Sequence, residues 1–160
     1  MGRVLLLVFC AAQIVATPAI DFNRTHATHP LWTRHARFHL VWQIFSQCIF
    51  AAFAGWLAWH SGPGIGVRFY FAVAIVAIPL VGFLLATVTR SLYGGALYDP
   101  NGILPLRLTV LGKHIEVDGN LVVVVAGLMM LAGIVLVYCW QDLVVAAGIL
   151  LPVPTLSALG

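Results

Sequence analysis

Histidine is concentrated in one short stretch of this 160-residue chain, where His26, His29, His35 and His39 fall within fourteen residues. His35 and His39 are four residues apart, so on a helix they share one face. Two imidazoles on one face, with a third from the other pair, would leave an open coordination position, as catalytic zinc sites do. Asp21 would add a carboxylate ligand or fix an imidazole tautomer. The sequence therefore predicts a divalent metal site, for zinc, copper or iron, at these five residues.

The same side chains also suit acid–base chemistry without a metal. Imidazole and carboxyl groups at the boundary between lipid and water can move protons to and from a lipophilic substrate. The candidate catalytic residues are Asp21, His35, His39 and Asp99, in a membrane isomerase, hydrolase or cyclase. A His-x-x-x-His pair also occurs by chance, and the chain has no His-Glu-x-x-His motif. The metal and acid–base alternatives both stay open at this point.

A third interpretation involves no reaction. Basic and polar side chains at headgroup depth can bind anionic lipids or position a subunit. The protein would then be a non-catalytic accessory subunit of a larger membrane complex that binds lipid, pigment or partner helices. The expected contacts with such a ligand or headgroup are Arg34, Arg37, Gln43, His114 and Glu116.

The composition is that of a membrane protein. Hydrophobic residues make up 62% of the chain and charged residues 8%, far from the average soluble domain. Helices are the expected spanning form, because they satisfy their own backbone polar groups, and about 20 residues suffice for one crossing. We expect one all-α domain over residues 1–160, an integral membrane four-helix bundle with spans at about 4–20, 35–59, 67–89 and 121–140.

Other segments carry weaker signals. The first apolar run resembles a secretory signal, but Pro18 lies in the candidate cleavage region, so we expect a retained span. The apolar tail over residues 143–160 is short for a span and predicts a segment along the membrane surface. The three cysteines lack metal-type spacing and predict small buried side chains. No basic run is long enough to indicate nucleic-acid binding.

The third loop, about residues 91–120, carries the pattern of a short β-hairpin. Residues 98–102 predict a turn. Apolar and polar residues then alternate over 106–110 and 114–118, about a turn at Leu111-Gly112-Lys113. We expect this hairpin to roof the histidines, with its polar face formed by Arg107, Thr109, His114 and Glu116.

Charge counting predicts the orientation of the bundle. Six of the eight basic residues fall in the first and third loops, and only Arg3 and Arg68 belong to the opposite face. The positive-inside rule then places loops 1 and 3 in the cytoplasm and both termini outside. The glycosylation sequon Asn23-Arg24-Thr25 lies in loop 1, so we expect it to be unused.

Two polar stripes are predicted to face each other inside the bundle. Polar side chains in a bilayer usually turn toward a neighbouring helix or a wet cavity. Stripes on the first two helices would form a pocket that opens at the loop 1 face, although interhelical hydrogen bonding would explain the same residues without a ligand. The stripes are Gln13, Thr17 and Asp21 on the first helix, and His35, His39, Gln43 and Gln47 on the second.

A short motif strengthens the interest in this region. Asn23-x-Thr25-His26, Pro30-x-Trp32 and the run His35-Ala36-Arg37-Phe38-His39 resemble the signature of a family of small four-helix membrane proteins of uncharacterised function. The resemblance covers about a tenth of the chain. It implies that these residues act as a unit, and it carries no activity, cofactor or substrate with it.

Overall fold

Four long helices and one hairpin make up the chain in a computed structural model, which describes residues 1–98, 104–110 and 112–148. The helices are long and apolar enough to cross a membrane; the 20 residues of the first correspond to about 30 Å. The chain is thus a multi-pass integral membrane protein, as predicted. The helices are α1 (Gly2–Asp21), α2 (Arg34–Trp59), α3 (Ile65–Thr89) and α4 (Gly119–Ala146), with a 3₁₀ turn over Arg90–Leu92.

Side-chain caps explain where two of the helices begin. Thr33 Oγ1 accepts from the Ala36 backbone N–H at 3.1 Å, so α2 begins one residue earlier than predicted. Asp118 Oδ1 accepts from the Leu121 N–H at 3.0 Å at the start of α4. At its other end α4 continues through Ala146, so the first residues of the predicted surface tail are helical. Residues 149–160 of that tail lie outside the described part of the chain.

The helices form a bundle in which each packs against its neighbour in sequence and α4 closes against α1. We call the end with the start of α1 the terminal end, and the end with loops 1 and 3 the loop end. The dense core lies toward the terminal end, where Phe69 stacks on Tyr138 with ring centroids 3.8 Å apart. A Cβ on Gly2 would lie 2.8 Å from Tyr138 Cβ, so the close approach of α1 to α4 at this point requires a glycine.

The loop-end halves of the helices bury much less. Most of their side chains are exposed or half-buried, and Ile44 and Val124 are the chief buried residues there. A four-helix array that is packed at one end and open at the other leaves the loop end as the place where polar groups can be reached from the membrane surface.

The predicted hairpin is confirmed, with its second strand beginning and ending one residue earlier than predicted. Strands β1 (Leu106–Val110) and β2 (Lys113–Val117) pair antiparallel, with Gly112 at a positive φ of 75° in the turn. Lys113 therefore belongs to the second strand rather than to the turn. The four residues of the predicted polar face lie opposite one another, Arg107 with Glu116 and Thr109 with His114, with side-chain contacts of 3.2 Å in both pairs. Both strands are exposed along almost their whole length.

Candidate functional site

The loop between α1 and α2 is wound tightly against the end of α1. The backbone N–H groups of Ala27, Thr28 and His29 donate to the carbonyls of Asp21, Asn23 and His26 at 2.9–3.0 Å. These turns need no regular secondary structure, and they hold the first two histidines beside the last residue of α1. The fold thus makes His26 and His29 part of the end of α1.

A hydrogen-bond chain fixes the tautomer of His26. Asn23 Nδ2 donates to the Ile20 carbonyl at 2.7 Å, which leaves Asn23 Oδ1 as an acceptor. Thr25 Oγ1 lies 2.6 Å from that oxygen and must donate its only hydrogen to it. Thr25 Oγ1 is also 2.8 Å from His26 Nδ1, so it can only accept there. His26 therefore carries a hydrogen on Nδ1, and the neutral ring presents a lone pair at Nε2.

Asp21 faces that lone pair. His26 Nε2 lies 3.9 Å from Asp21 Oδ1, and the two side chains are 21% and 24% exposed. The distance is too long for a direct hydrogen bond. An atom placed between them can lie about 2.8 Å from both, within hydrogen-bonding reach of each. The carboxyl and the imidazole thus form an accessible acid–base pair, which we call the Asp21–His26 pair.

Trp32 joins this pair to His29. Its ring lies edge-on to His26, with centroids 6.0 Å apart, and tilted against His29 at 5.7 Å. His29 is only 1% exposed, and its Nδ1 accepts from the Leu31 N–H at 3.2 Å. Its hydrogen is therefore on Nε2, opposite to the tautomer of His26. The Trp32 ring thus contacts both His26, which has a free lone pair at Nε2, and His29, which has an N–H donor at Nε2.

His35 and His39 form a separate pair at the start of α2. Their Nε2 atoms are 3.0 Å apart and both side chains are exposed. A hydrogen bond between two ring nitrogens needs one N–H and one lone pair, so the two rings are in complementary protonation states. The i, i+4 spacing predicted a shared helix face, and the two rings do meet on it. Nothing in the described contacts joins this pair to Asp21 or His26.

The five predicted metal ligands are therefore split between two places. Among the described residues, which include all five, no group of three or more histidine, cysteine or acidic side chains is arranged to hold a metal ion. The reason is geometric, because the compact loop keeps Asp21, His26 and His29 at the end of α1 while α2 carries its pair away. The metal centre stays a prediction.

The remaining predicted residues lie in several places. Arg34 and Gln43 are exposed, and Arg37 donates to the Pro30 carbonyl at 3.3 Å. His114 contacts Thr109 and Glu116 contacts Arg107, both within the exposed hairpin and not with the loop 1 histidines. Asp99 and most of the predicted turn at 98–102 lie outside the described residues.

The polar stripes do not form one continuous seam between α1 and α2. Gln13 Nε2 donates to the Val76 carbonyl of α3 at 3.2 Å, while Gln43 is exposed. Cys48 Sγ donates to the Ile14 carbonyl at 3.8 Å. That carbonyl lost its helical donor to Pro18, so the thiol replaces a missing bond. Interhelical hydrogen bonding, the simpler of the two explanations, accounts for Gln13.

Comparisons with known proteins add no relative. No family model, no curated protein and no solved structure matches the chain. The resemblance of the loop 1 motif to small four-helix membrane proteins therefore contributes nothing further to the site. What the site can do is argued from its own geometry.

Three residues that shape the site were named in the loop 1 motif but not among the candidate site residues. Asn23 and Thr25 orient His26, and Trp32 packs against both His26 and His29. An Asn-x-Thr sequence directly after a helix is a recognisable signal, because asparagine side chains bind the backbone two residues on. Thr25 N–H does donate to Asn23 Oδ1 at 2.8 Å. No comparable local pattern predicts the packing of Trp32.

Proposed function

We propose that this membrane protein has an acid–base site at its loop end, in which the Asp21–His26 pair transfers a proton to or from an amphiphilic ligand. The observation that carries the proposal is the hydrogen-bond chain from Asn23 through Thr25 to His26. It leaves the Nε2 lone pair opposite a carboxyl oxygen, 3.9 Å away. A base held by a second group and aimed at a third is the usual arrangement of general acid–base catalysis.

The position of the pair indicates the kind of ligand. Asp21 is the last residue of a membrane-spanning helix, so the pair lies where the apolar core gives way to the headgroup region. Large apolar side chains around it are exposed, with Ile20 at 38%, Phe22 at 54% and Leu31 at 74%. A molecule with an apolar body and a polar end would place that end beside the pair while its body stays in lipid.

Ligand trapping tests this proposal. The His26→Gln and Asp21→Asn variants should retain a lipophilic molecule that wild type converts, because they bind it but cannot move the proton. Lipid extracts of the purified full-length proteins in bilayer nanodiscs would be compared by mass spectrometry. His35→Gln is the matched control, since it removes a histidine outside the pair.

A molecule enriched in the two variants is then presented to purified wild type. The proposal predicts that wild type changes its mass or retention, whereas His26→Gln does not. Identical extracts from all four proteins, or a trapped molecule that wild type leaves unchanged, would refute the acid–base role. Stable co-purification of other membrane subunits together with such extracts would instead favour the accessory role.

A metal role for the His35–His39 pair has one observation in its favour. Two nitrogens on one tetrahedral zinc, each at about 2.0–2.1 Å, are about 3.4 Å apart, and the two Nε2 atoms are 3.0 Å apart. Small ring movements would suit both to one ion. The described residues supply only these two ligands, so a closed site would need ligands from elsewhere, such as a second copy or a bound molecule.

The orientation of the bundle also remains a proposal, with loops 1 and 3 in the cytoplasm and the termini outside. Its support is that the basic residues at the terminal end have a structural role. Arg3 donates to the carbonyls of Ala58 and Trp59 at 2.9 and 2.7 Å, and Arg68 donates to Pro63 at 2.7 Å. These carbonyls end α2 or follow it, where cations are favoured. Arg3 and Arg68 are thereby accounted for without a topological signal.

A further inference from the structure

His29 holds a buried hydrogen-bond donor that the protein does not use. The side chain is 1% exposed, and its Nδ1 is already the acceptor for the Leu31 N–H. Its Nε2 must therefore carry the hydrogen, and this buried atom has no hydrogen-bond partner among the described residues. Buried polar groups are nearly always paired, so an unpaired donor calls for an acceptor that the described residues do not supply.

Arg37 offers a second such donor, on a side chain that contacts the residue next to His29. One of its terminal nitrogens donates to the carbonyl of Pro30, the residue that follows His29, at 3.3 Å. Its Nε atom is buried and likewise has no partner within the described part of the chain. The hydrogen bond thus places Arg37 against the residue next to His29, and both His29 and Arg37 have an unused N–H.

We propose that His29 Nε2–H and Arg37 Nε–H together bind an anionic group, a phosphate, on the ligand of this protein. Two donors and a cation suit a phosphate better than a neutral group, because charge-assisted hydrogen bonds are the stronger ones. Arg37 also lies in the first turn of α2, and the N-terminal end of a helix favours anions. The phosphate belongs either to a lipid headgroup or to a soluble phosphate.

This inference rests on the proposed function for the reaction and gives the chemical class of the ligand. Trp32 contacts both His26 and His29, so a phosphate held at His29 would lie near the Asp21–His26 pair. Binding and proton transfer are then assigned to different side chains, which allows them to be tested separately.

The test is a titration of the full chain, labelled with ¹⁵N-histidine and held in an uncharged detergent. The probes are dihexanoyl phosphatidic acid, inorganic phosphate and, as a phosphate-free control, dihexanoylglycerol. The His29 signal is assigned by its loss in His29→Gln. We expect phosphatidic acid, and not dihexanoylglycerol, to shift the His29 Nε2 resonance. An equal effect of inorganic phosphate at the same concentrations would identify the soluble anion as the source.

Variants separate specific binding from general charge. Arg37→Gln should weaken phosphatidic acid binding about tenfold or more, as expected for a lost hydrogen bond to a charged group. Arg34→Gln, which removes an exposed arginine three residues away, should change it by less than about threefold. The titration measures phosphate binding and not conversion of a ligand, so failure of the acid–base role leaves this result intact. No shift with either phosphate, or equal weakening by Arg34→Gln and Arg37→Gln, would overturn the proposal.

Discussion

The tautomer of His26 gives the sharpest test of the site, because one hydroxyl controls it. Thr25→Val keeps the shape of the side chain and removes both of its hydrogen bonds, to Asn23 Oδ1 at 2.6 Å and to His26 Nδ1 at 2.8 Å. The Nδ1–H form of His26 then loses an acceptor. A hydrogen bond of this kind contributes about 1 kcal/mol, so the ratio of the two neutral tautomers should change by about fivefold toward Nε2–H.

A second variant tests the direction of the chain. In Asn23→Ala the Thr25 hydroxyl no longer has Asn23 Oδ1 to donate to, and it is free to donate to His26 Nδ1 instead. The neutral ring should then hold its hydrogen on Nε2, which removes the lone pair that faces Asp21. Thr25→Ser is the matched control, because it keeps the hydroxyl and should preserve the wild-type tautomer.

The measurement is the ¹⁵N spectrum of histidine-labelled protein, in which protonated and unprotonated ring nitrogens are well separated; His26→Gln assigns the signal. We expect Nδ1–H at His26 in wild type and Thr25→Ser, and a shift toward Nε2–H in Thr25→Val and Asn23→Ala. Wild type with its hydrogen on Nε2 would contradict the hydrogen-bond chain. A spectrum unchanged in both variants would show that Thr25 does not orient the ring.

Three further predictions concern the fold, the orientation and the metal. Gly2→Ala should lower the free energy of unfolding by about 1–3 kcal/mol, since its Cβ would lie 2.8 Å from the Tyr138 side chain. Gly133→Ala is the control and should be neutral or stabilising, because a Cβ there meets nothing within 4 Å. Equal thermal unfolding temperatures of the two variants in detergent would contradict this prediction. In intact cells and a background without native cysteines, a membrane-impermeant maleimide should label Ser61→Cys but not Arg24→Cys; the reverse pattern would invert the proposed orientation. Elemental analysis of the purified protein tests the predicted metal: a full equivalent of zinc, copper or iron per chain that disappears when the His35–His39 pair is replaced by alanine would support it, and clearly less than one equivalent would contradict it.

The four spans and the hairpin were predictable because their signals are local. A bilayer imposes length and apolarity on every spanning segment, and a hairpin shows itself by alternation about a turn. The exact boundaries of the helices were less predictable. Helix α4 runs on to Ala146, because no glycine or proline follows the predicted end until Gly148 and the polar Gln141 and Asp142 do not stop a helix.

The site was predictable in its residue types and only partly in its grouping. The contact between His35 and His39 follows from i, i+4 spacing, which is a property of the helix. The contact between Asp21 and His26 depends on how an irregular loop folds back on α1, and periodicity carries no information about that. The opposite tautomers of His26 and His29 depend on individual hydrogen bonds to Thr25 and to the Leu31 N–H, which only atomic geometry reveals.

The distribution of packing makes substitutions in the site informative. The dense core, including Leu6, Phe69 and Tyr138, lies toward the terminal end, while Asp21 and His26 lie at the loop end and are about a quarter to a fifth exposed. Large losses of stability come mainly from cavities, overpacking or unpaired buried charges. Replacing Asp21 by asparagine or His26 by glutamine creates none of these in the core. A change in bound ligand or in proton transfer in these variants would therefore report on the chemistry of the pair rather than on the integrity of the bundle.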